Sequence, residues 1–340
     1  IGLPKSASDR AWFYTFLHEH QAQLGIGIDD REVRLWRSVS DFGGTRSRGL
    51  RERVSDALHN AVRISPVVFS DQKKRRAVAL LRERTPQFLR GYATAIYHLA
   101  RYIRSRRSAG ERIGLRLKAV IPTGEFLSTV NQEYIRETFG CPVSQEYGAT
   151  ECGPIAWQCE HGTFHIHEGN VLVETSNETR DPDGVVRGDL LASALRNEAM
   201  PLFRYRLGDR GVVRDSRCAC GSAYRTVELA EARTFSYLDR PDGTTVNVMG
   251  LFVFGTLKRY PRVAEGIREY QFIREDRDRL RLRLAVTSDL PADAETAIVA
   301  DLQPYLGSMR FFVEYLDEIA PGPSGKHLRW IDRTESERID

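Results

Sequence analysis

Two short segments in the middle of the chain carry residues suited to nucleotide chemistry. The first, 147–151 (YGATE), contains two small residues that allow a ligand close to the backbone, followed by Thr150 and Glu151. The carboxylate of Glu151 could bind a divalent cation. The second segment, 204–209 (RYRLGD), ends in Asp209, whose carboxylate can accept two hydrogen bonds from vicinal hydroxyls such as those of a ribose. Taken alone, the first segment is also compatible with a capped strand-to-helix turn, and the second with an ordinary turn.

Two further patterns could take part in chemistry. A loop at 323–326 (PSGK) presents Lys326, although a lone exposed lysine usually has no function. Cys218 and Cys220 form a CxC turn followed by glycine, which can present two thiolates to one metal ion, and Cys159 could add a third. Candidates for a fourth ligand are His161, His165 and His167. Four protein ligands would make a closed, structural zinc site, and the alternative is a set of buried free thiols.

The elements around the first segment predict how it is positioned. Residues 115–121 read as a buried strand, 127–139 as a helix and 141–145 as a second strand. This order predicts a βαβ unit with a parallel sheet covered by helices. Ligands bind beyond the carboxyl ends of such strands, where Gly124, Glu125 and the YGATE segment are expected to lie.

The remaining pattern predicts an α/β protein with two domains. The first third reads as mainly helical, with helices predicted at 11–24, 75–90 and 92–106. Further strands are predicted at 170–174 and 188–194. The C-terminal part reads as helix 251–260, strands 270–274 and 280–286, helix 292–305 and strand 310–315. We therefore predict a large domain at 1–233 with parallel or mixed sheets, and a small, mobile α+β domain at 234–340.

Composition excludes several classes of protein. The 340 residues include 41% hydrophobic and 28% charged residues, which argues against collagen-like, coiled-coil and largely disordered chains. The longest nearly apolar stretch, 248–257, is too short to span a membrane, and the first ten residues lack the apolar centre of a signal peptide. Five cysteines do not make a disulfide framework, so a cytoplasmic protein is expected. A net charge of +4, with acids interspersed, argues against a zinc-bearing nucleic-acid binder.

In this order and at this spacing, the three segments resemble the adenylate-forming ligases. The branch they resemble comprises phenylacetate–coenzyme A ligase and its capsule-biosynthesis-like relatives. The similarity runs from about Gly91 to Lys326. The most similar segments are PTGEFL at 122–127, YGATECG at 147–153, 159–174, MPLFRYRLGD at 200–209 and the CxC at 218–220.

The resemblance implies a role for each matching residue. Glu151 would hold the Mg²⁺ that bridges ATP phosphates, and Thr150 would touch the α-phosphate. Tyr147 would stack on or flank the adenine, Gly148 would also lie at the nucleotide, and Asp209 would bind the ribose. The implied substrate pocket includes Gly124, Glu125 and Ala149.

The remaining implied roles concern the domain boundary and the metal. Arg233 would contact ribose or phosphate beside a hinge at 234–236, and Lys326 would reach the carboxylate and α-phosphate during adenylation. His165 matches a histidine of the family and is therefore the preferred fourth zinc ligand, with Cys159, Cys218 and Cys220. Two departures stand out. The hinge lacks the paired acids of the family, and the phosphate loop is missing, because FGGT at 42–45 lacks its pattern. We expect that the true loop lies upstream of this chain.

The predicted function is an AMP-forming ligase that activates a carboxylic acid, aryl or arylacetic by resemblance, and passes the acyl group to a thiol such as coenzyme A. Its cofactors would be ATP, Mg²⁺ and a structural Zn²⁺. Its partners would be the acid and the nucleotide, without nucleic acid or membrane, and the chain could form a homodimer. The alternatives are the same adenylation with an amine acceptor, and a binding homologue without turnover.

Overall fold

The computed structural model describes residues 4–37, 46–83, 87–111, 113–125, 127–180, 184–215, 217–231, 237–240, 242–288, 290–320 and 329–334. The chain forms two compact units. The first comprises Ile1–Trp36, Ser55–Arg63 and Arg75–Arg233, and the second comprises Arg37–Val54, Ile64–Lys74 and Thr234–Asp340. The second unit thus includes two segments that lie before residue 75. The functional domain limits 1–233 and 234–340 stay a prediction.

Most of the described strands belong to one large mixed sheet. Its strands are β1 (Glu32–Leu35), β2 (Ala61–Ile64), β4 (Phe88–Tyr92), β5 (Ala119–Thr123), β6 (Glu146–Ala149), β7 (Gly153–Gln158), β8 (Phe164–Ile166), β9 (Val171–Arg180), β10 (Val186–Ala194), β11 (Tyr205–Arg214) and β12 (Thr226–Glu231). Their order across the sheet is β2-β1-β4-β5-β6-β7-β8-β12-β11-β10-β9. The pairs β1–β4, β4–β5 and β5–β6 are parallel, and the neighbouring pairs of the sheet from β6 to β9 are antiparallel.

Five helices of the described residues alternate in sequence with the strands before residue 146. They are α1 (Ala7–Gln23), α2 (Arg46–Leu58), α3 (Asp71–Glu83), α4 (Ala93–Ser108) and α5 (Thr129–Phe139). Helix α5 begins after Ser128, whose hydroxyl accepts a hydrogen bond from the Asn131 amide, and ends at Gly140 in the left-handed conformation (φ 67°). It connects β5 to the parallel strand β6, so the predicted βαβ unit is confirmed. All five residues of β5 are buried, as expected for a parallel strand covered on both faces.

The second unit contains two small sheets. Strands β3 (Val68–Phe69), β13 (Tyr237–Asp239) and β14 (Thr245–Asn247) form one, in the order β13-β14-β3. Strands β15 (Ile267–Arg274), β16 (Arg279–Val286), β17 (Arg310–Leu316) and β18 (Trp330–Asp332) form the other, in the order β17-β16-β15-β18. The helices are α6 (Val248–Gly250), α7 (Leu257–Arg259), α8 (Pro261–Gly266) and α9 (Ala294–Leu306), with π-helical turns at Leu251–Thr256. In β16 (RLRLRLAV), Leu280, Leu282 and Leu284 are fully buried, as period-two alternation requires.

The predicted fold class is confirmed, because the structure is mixed α/β with a large parallel and antiparallel sheet and a separate small-sheet unit. Within the described residues, no helix is long and apolar enough to cross a membrane.

Several predicted elements differ from the observed ones. The first third is mainly helical, as predicted, but it also contains the short strands β1 to β4, which the sequence did not predict. The predicted helix 75–90 ends at Glu83, and β4 begins at Phe88; Pro86 disfavours a helical conformation at the residue before it. Within the predicted strand 141–145, Val143 forms an isolated parallel bridge with Val120 of β5, and the continuous strand begins only at Glu146. The predicted helix 251–260 is broken into π-helical and short α-helical turns.

Candidate functional site

The YGATE segment lies on a β-hairpin. Strand β6 ends at Ala149, Thr150 is exposed in the turn, and β7 begins at Gly153. A Cβ atom at Gly148 would lie 2.8 Å from the carbonyl oxygen of Gly153 across the hairpin. Gly148 is therefore required by the close approach of the two strands, and the segment is not the strand-to-helix turn considered from the sequence.

A hydrogen bond joins this hairpin to the second predicted segment. The hydroxyl of Tyr147 donates to Oδ2 of Asp209 at 2.9 Å, across 62 positions of sequence. Both side chains are half-buried. The structure therefore brings together the residue expected at the adenine and the residue expected at the ribose.

Two residues that the sequence reasoning missed hold Glu151. The hydroxyl of Tyr205 on β11 donates to Oε1 of Glu151 at 3.1 Å. The ammonium group of Lys5 donates to the carbonyl oxygen of Glu151 at 3.0 Å and lies 3.5 Å from Asp9. Tyr205 stands inside the RYRLGD segment, so its position was a usable signal, whereas Lys5 is 146 positions away and no local pattern indicates it.

The donor set around Glu151 fits a hard divalent cation. Within the part of the chain that the structure describes, its second carboxylate oxygen, Oε2, has no hydrogen-bond partner. Mg²⁺ is commonly held by one or two carboxylates together with water and substrate phosphates. One carboxylate with one uncommitted oxygen is compatible with that coordination.

Gly124 and Glu125 follow β5, at the carboxyl end of a parallel strand. Gly124 has φ +74°, and a Cβ atom there would lie 3.3 Å from the ring of Tyr92. Oε2 of Glu125 accepts a hydrogen bond from the Thr94 amide at 2.6 Å, in the first turn of α4, and Oε1 is buried without a partner among the described residues. Burial raises the pKa of Glu125 to about 8 despite that hydrogen bond. The observed contacts make Glu125 a helix cap, and its place in a substrate pocket stays a prediction.

A buried ionic cluster fixes the strand that carries Tyr147. Oε2 of Glu146 accepts from Nε and Nη2 of Arg90 on β4 at 3.0 and 2.7 Å. Oε1 lies 3.2 Å from Nδ1 of His20 on α1, whose Nε2 lies 2.6 Å from the hydroxyl of Ser144. Burial would raise the pKa of Glu146, but Arg90 and His20 together lower it to about 2. The carboxylate of Glu146 therefore connects β6 with β4 and α1, at the residue before Tyr147.

Several residues with predicted roles are not among the residues that the structure describes. Arg233, the hinge 234–236, Lys326 and the FGGT loop at 42–45 lie outside the described residues, so their predicted roles are untested. Ala149 is half-buried at the end of β6, and no observed contact assigns it to a pocket.

The predicted metal ligands lie together in three dimensions. The four ligand atoms, one each from Cys159, His165, Cys218 and Cys220, are all within 4.8 Å of one another. Cys159 stands in the β7–β8 turn, where its amide donates to the carbonyl of Thr163 at 2.9 Å. The two other cysteines stand in the loop between β11 and β12. Because β12 pairs with β8, this loop is held beside His165.

Distances and donor types in this Cys/His cluster fit zinc. The sulfur atoms of Cys159 and Cys218 are 3.8 Å apart, and Sγ of Cys220 is 3.3 Å from Nε2 of His165. Two sulfurs bound to one tetrahedral zinc at about 2.3 Å would lie about 3.8 Å apart. The backbone amide of Cys220 is the main cause that lowers the pKa of the Cys218 thiol to about 6, which favours the thiolate. Burial raises the pKa of Cys159 to about 11.

The two competing histidines lie elsewhere. Nε2 of His167 is 3.4 Å from Oε2 of Glu19, and its ring packs edge-on against Phe16 at 5.0 Å between centroids. His161 is about half exposed, with Nε2 3.8 Å from Glu160. The geometry therefore favours His165 as the histidine of the Cys/His cluster.

Comparison with known proteins gives one curated relative of partial length. No family model matches the chain. The chain is 24% identical over 251 residues to Protein CapK of Staphylococcus aureus. This match covers 71% of the chain and 51% of CapK. The chain thus spans about half the length of that relative.

Solved structures share the fold. The chain is similar to 2-hydroxyisobutyryl-CoA ligase in complex with 2-HIB-AMP and CoA in the thioesterification state, with a TM-score of 0.58 and 16% identity, over 99% of this chain and 73% of that one. It is also similar to the same enzyme in the postadenylation state with R3-HIB-AMP, with a TM-score of 0.52 and 19% identity, over 98% and 72%. The architecture is therefore the adenylate-forming ligase fold that the resemblance implies.

Proposed function

We propose that this chain belongs to an AMP-forming ligase, which activates a carboxylic acid with ATP and transfers the acyl group to a thiol. In the first step a carboxylate oxygen of the acid attacks the α-phosphorus of ATP, and the bond to pyrophosphate breaks. In the second step the thiolate sulfur attacks the acyl carbon, a thioester forms and AMP leaves. The proposed acceptor is coenzyme A, and the proposed acid is aryl or arylacetic.

The proposed roles of the described residues are those that the family resemblance implies. Asp209 would accept hydrogen bonds from the ribose hydroxyls, Tyr147 would stack on or flank the adenine, and Gly148 would also lie at the nucleotide. Glu151 would hold Mg²⁺, which supplies charge neutralisation for the phosphates when bound. Thr150, exposed in the turn, would contact the α-phosphate. The chemistry brings two anions together, so positioning and positive charge would supply most of the acceleration.

The observation that supports this proposal best is the Tyr147–Asp209 hydrogen bond. It joins two segments that the resemblance assigns to one nucleotide, although 62 positions separate Tyr147 from Asp209 in sequence. The likeness of the fold to a ligase crystallised with an acyl-AMP and CoA supports the same reading.

The test is ATP–pyrophosphate exchange by the complete gene product in the presence of a panel of carboxylic acids. Glu151→Gln removes the cation's carboxylate and is expected to lower exchange by about 100-fold or more. Asp209→Ala is expected to raise the KM for ATP roughly tenfold or more, since a charged hydrogen-bond acceptor is lost. The matched control is Glu133→Gln, an exposed carboxylate on α5.

The outcomes separate the alternatives. Exchange that needs an acid, followed by a thioester on adding coenzyme A, supports the proposal; an amide formed from an amine instead supports the amine-acceptor ligase. Nucleotide binding without exchange would indicate a homologue that has lost turnover. Wild-type exchange in both variants would disprove the assignment of YGATE and RYRLGD.

We also propose that Cys159, His165, Cys218 and Cys220 hold one zinc ion. Four protein ligands leave no open coordination position, so the ion would be structural and would join the β7–β8 turn to the loop before β12. The convergence of all four ligand atoms, within 4.8 Å of one another, supports this assignment.

A further inference from the structure

Two hydrogen bonds between tyrosines and carboxylates connect the hairpin to β11. Tyr147 and Glu151 are four positions apart on the hairpin, and Tyr205 and Asp209 are four positions apart on β11. The tyrosine of each segment donates to the carboxylate of the other, at 2.9 Å for Tyr147–Asp209 and 3.1 Å for Tyr205–Glu151. The arrangement is reciprocal, and both tyrosines pack against the same hydrophobic core.

This reciprocity leaves one oxygen of each carboxylate uncommitted. Oε2 of Glu151 and Oδ1 of Asp209 have no hydrogen-bond partner within the described ranges. A glutamate side chain in a turn has several rotatable bonds, and its carboxylate would otherwise lose conformational entropy on binding a cation. A hydroxyl bound to Oε1 fixes that carboxylate before the cation arrives. The Lys5 ammonium group fixes the same residue at its backbone carbonyl, 3.0 Å away.

We propose that Tyr205 is a positioning residue for Glu151, whose hydroxyl holds one carboxylate oxygen so that the other is directed to the cation accompanying the nucleotide. This inference rests on the proposed function, in which Glu151 is the cation's carboxylate. Tyr205 itself touches neither nucleotide nor acid in this scheme. Its effect passes entirely through Glu151.

The experiment measures binding of Mn²⁺, as a paramagnetic substitute for Mg²⁺, to the complete gene product with a non-hydrolysable ATP analogue, by electron paramagnetic resonance. Tyr205→Phe keeps the ring in the core and removes only the hydroxyl. We expect it to weaken Mn²⁺ binding in the ternary complex roughly tenfold, the size of one hydrogen bond to a charged group. The KM for the acid should not change.

The matched control is Tyr224→Phe. The Tyr224 hydroxyl donates to Oε1 of Glu19 at 3.2 Å, so this variant also removes a tyrosine–glutamate hydrogen bond in the same unit, away from Glu151. It should leave Mn²⁺ affinity at the wild-type value. Circular dichroism of each variant checks that its fold is intact.

A double-mutant cycle distinguishes positioning from a general structural effect. If Tyr205 acts through Glu151, Tyr205→Phe should have no further effect on Mn²⁺ affinity in the Glu151→Gln background. An equal loss in both backgrounds would overturn the inference while leaving the role of Glu151 intact, and so would wild-type affinity in Tyr205→Phe. If Glu151→Gln alone retains wild-type Mn²⁺ affinity, the proposed role of Glu151 is wrong and the inference falls with it.

Discussion

At the scale of single residues, Glu125 shows how burial changes the behaviour of a carboxyl group. Its pKa is raised to about 8, so the folded protein keeps this proton where the unfolded chain, with an ordinary value of 4.5, has lost it. The contribution of the protonated Glu125 carboxyl to the free energy of unfolding is fully present below about pH 4.5. It is lost as pH rises towards 8. The free energy of unfolding should therefore fall with increasing pH, by at most about 1.4 kcal/mol per pH unit.

Glu125→Gln tests this prediction, because it removes the titration and keeps an acceptor for the Thr94 amide. Urea unfolding of wild type and variant at about pH 5, 6.5 and 8 should show the wild type losing stability relative to Glu125→Gln as pH rises. Glu133→Gln, at an exposed site, should run parallel to wild type. Parallel profiles for Glu125→Gln as well would mean that the carboxyl is ionised in the folded protein.

The residues that the sequence predicted are those inside linear motifs. Tyr147, Glu151 and Asp209 could be identified because each stands in a short segment with a characteristic composition. Lys5 and His20 could not, since their contacts with Glu151 and Glu146 span more than a hundred positions and depend on where α1 packs. The sequence assigned no role to Glu146, and its role follows only from its contact with Arg90 on β4, which lies two strands away in the sheet.

At the scale of elements, the buried cluster of Glu146, Arg90 and His20, which connects β6 with β4 and α1, should be a major source of stability. Glu146→Gln would leave the guanidinium of Arg90 buried without its counter-charge. We expect a loss of about 3–5 kcal/mol in the free energy of unfolding. The comparison is Glu133→Gln, which removes the partner of Arg136 on the solvent-facing side of α5 and should cost less than about 1 kcal/mol.

Urea unfolding measures the free energy of unfolding of both variants. Equal small losses would show that water solvates the Arg90 guanidinium in place of the missing carboxylate. The depressed pKa of Glu146 adds a pH dependence of opposite sign to that of Glu125. Its contribution is present above about pH 4.5 and disappears as pH falls towards 2.

The Cys/His cluster provides a second prediction at this scale. Elemental analysis should give one zinc per chain in the wild type and much less in Cys218→Ser, whose folding yield should also fall because metal binding is coupled to folding. Cys141→Ala is the matched control: this buried cysteine is not part of the cluster, and its variant should retain the zinc. Well under one zinc in the wild type, with freely reactive thiols, would contradict the proposed site.

Element prediction was most accurate where the sequence marks both ends of a periodic segment, and it missed the short strands. The βαβ unit around α5 was correct because Ser128 and Gly140 mark both ends of a periodic helix. Strands such as β1 (EVRL) and β2 (AVRI) are four residues long, too short for a period to be recognised. They become strands by pairing with β4 and with each other, which is a property of the folded sheet.

At the scale of the whole molecule, Lys326 tests the predicted domain movement. The resemblance implies one orientation for adenylation, with Lys326 at the α-phosphate, and another for thioester formation. A movement of this kind concentrates its backbone change at a few residues, here predicted at 234–236. Lys326→Ala should lower the adenylation step by roughly 10²–10³-fold, comparable with removing one donor from an oxyanion site.

Transfer from a supplied acyl-adenylate to coenzyme A should be largely unaffected by Lys326→Ala. Pre-steady-state measurement of the two half-reactions gives the comparison, with Lys258→Ala in the same unit as control. Equal losses in both half-reactions would indicate a folding defect. An unchanged adenylation rate would remove Lys326 from the mechanism.

The equal spacing of the two tyrosine–carboxylate pairs limits how the gene can change in length. Side chains of a strand alternate between faces, so inserting or deleting one codon between Tyr205 and Asp209 would turn one of them away from the hairpin. A length change between Tyr147 and Glu151 would break the same two hydrogen bonds from the other side. A length change in one segment could be compensated only by a matching change in the other. Tyr205 and Glu151, which the second hydrogen bond joins, are 54 positions apart in sequence. Natural variants of this chain should therefore gain and lose residues elsewhere. The intervals Tyr147–Glu151 and Tyr205–Asp209 should both stay at four positions.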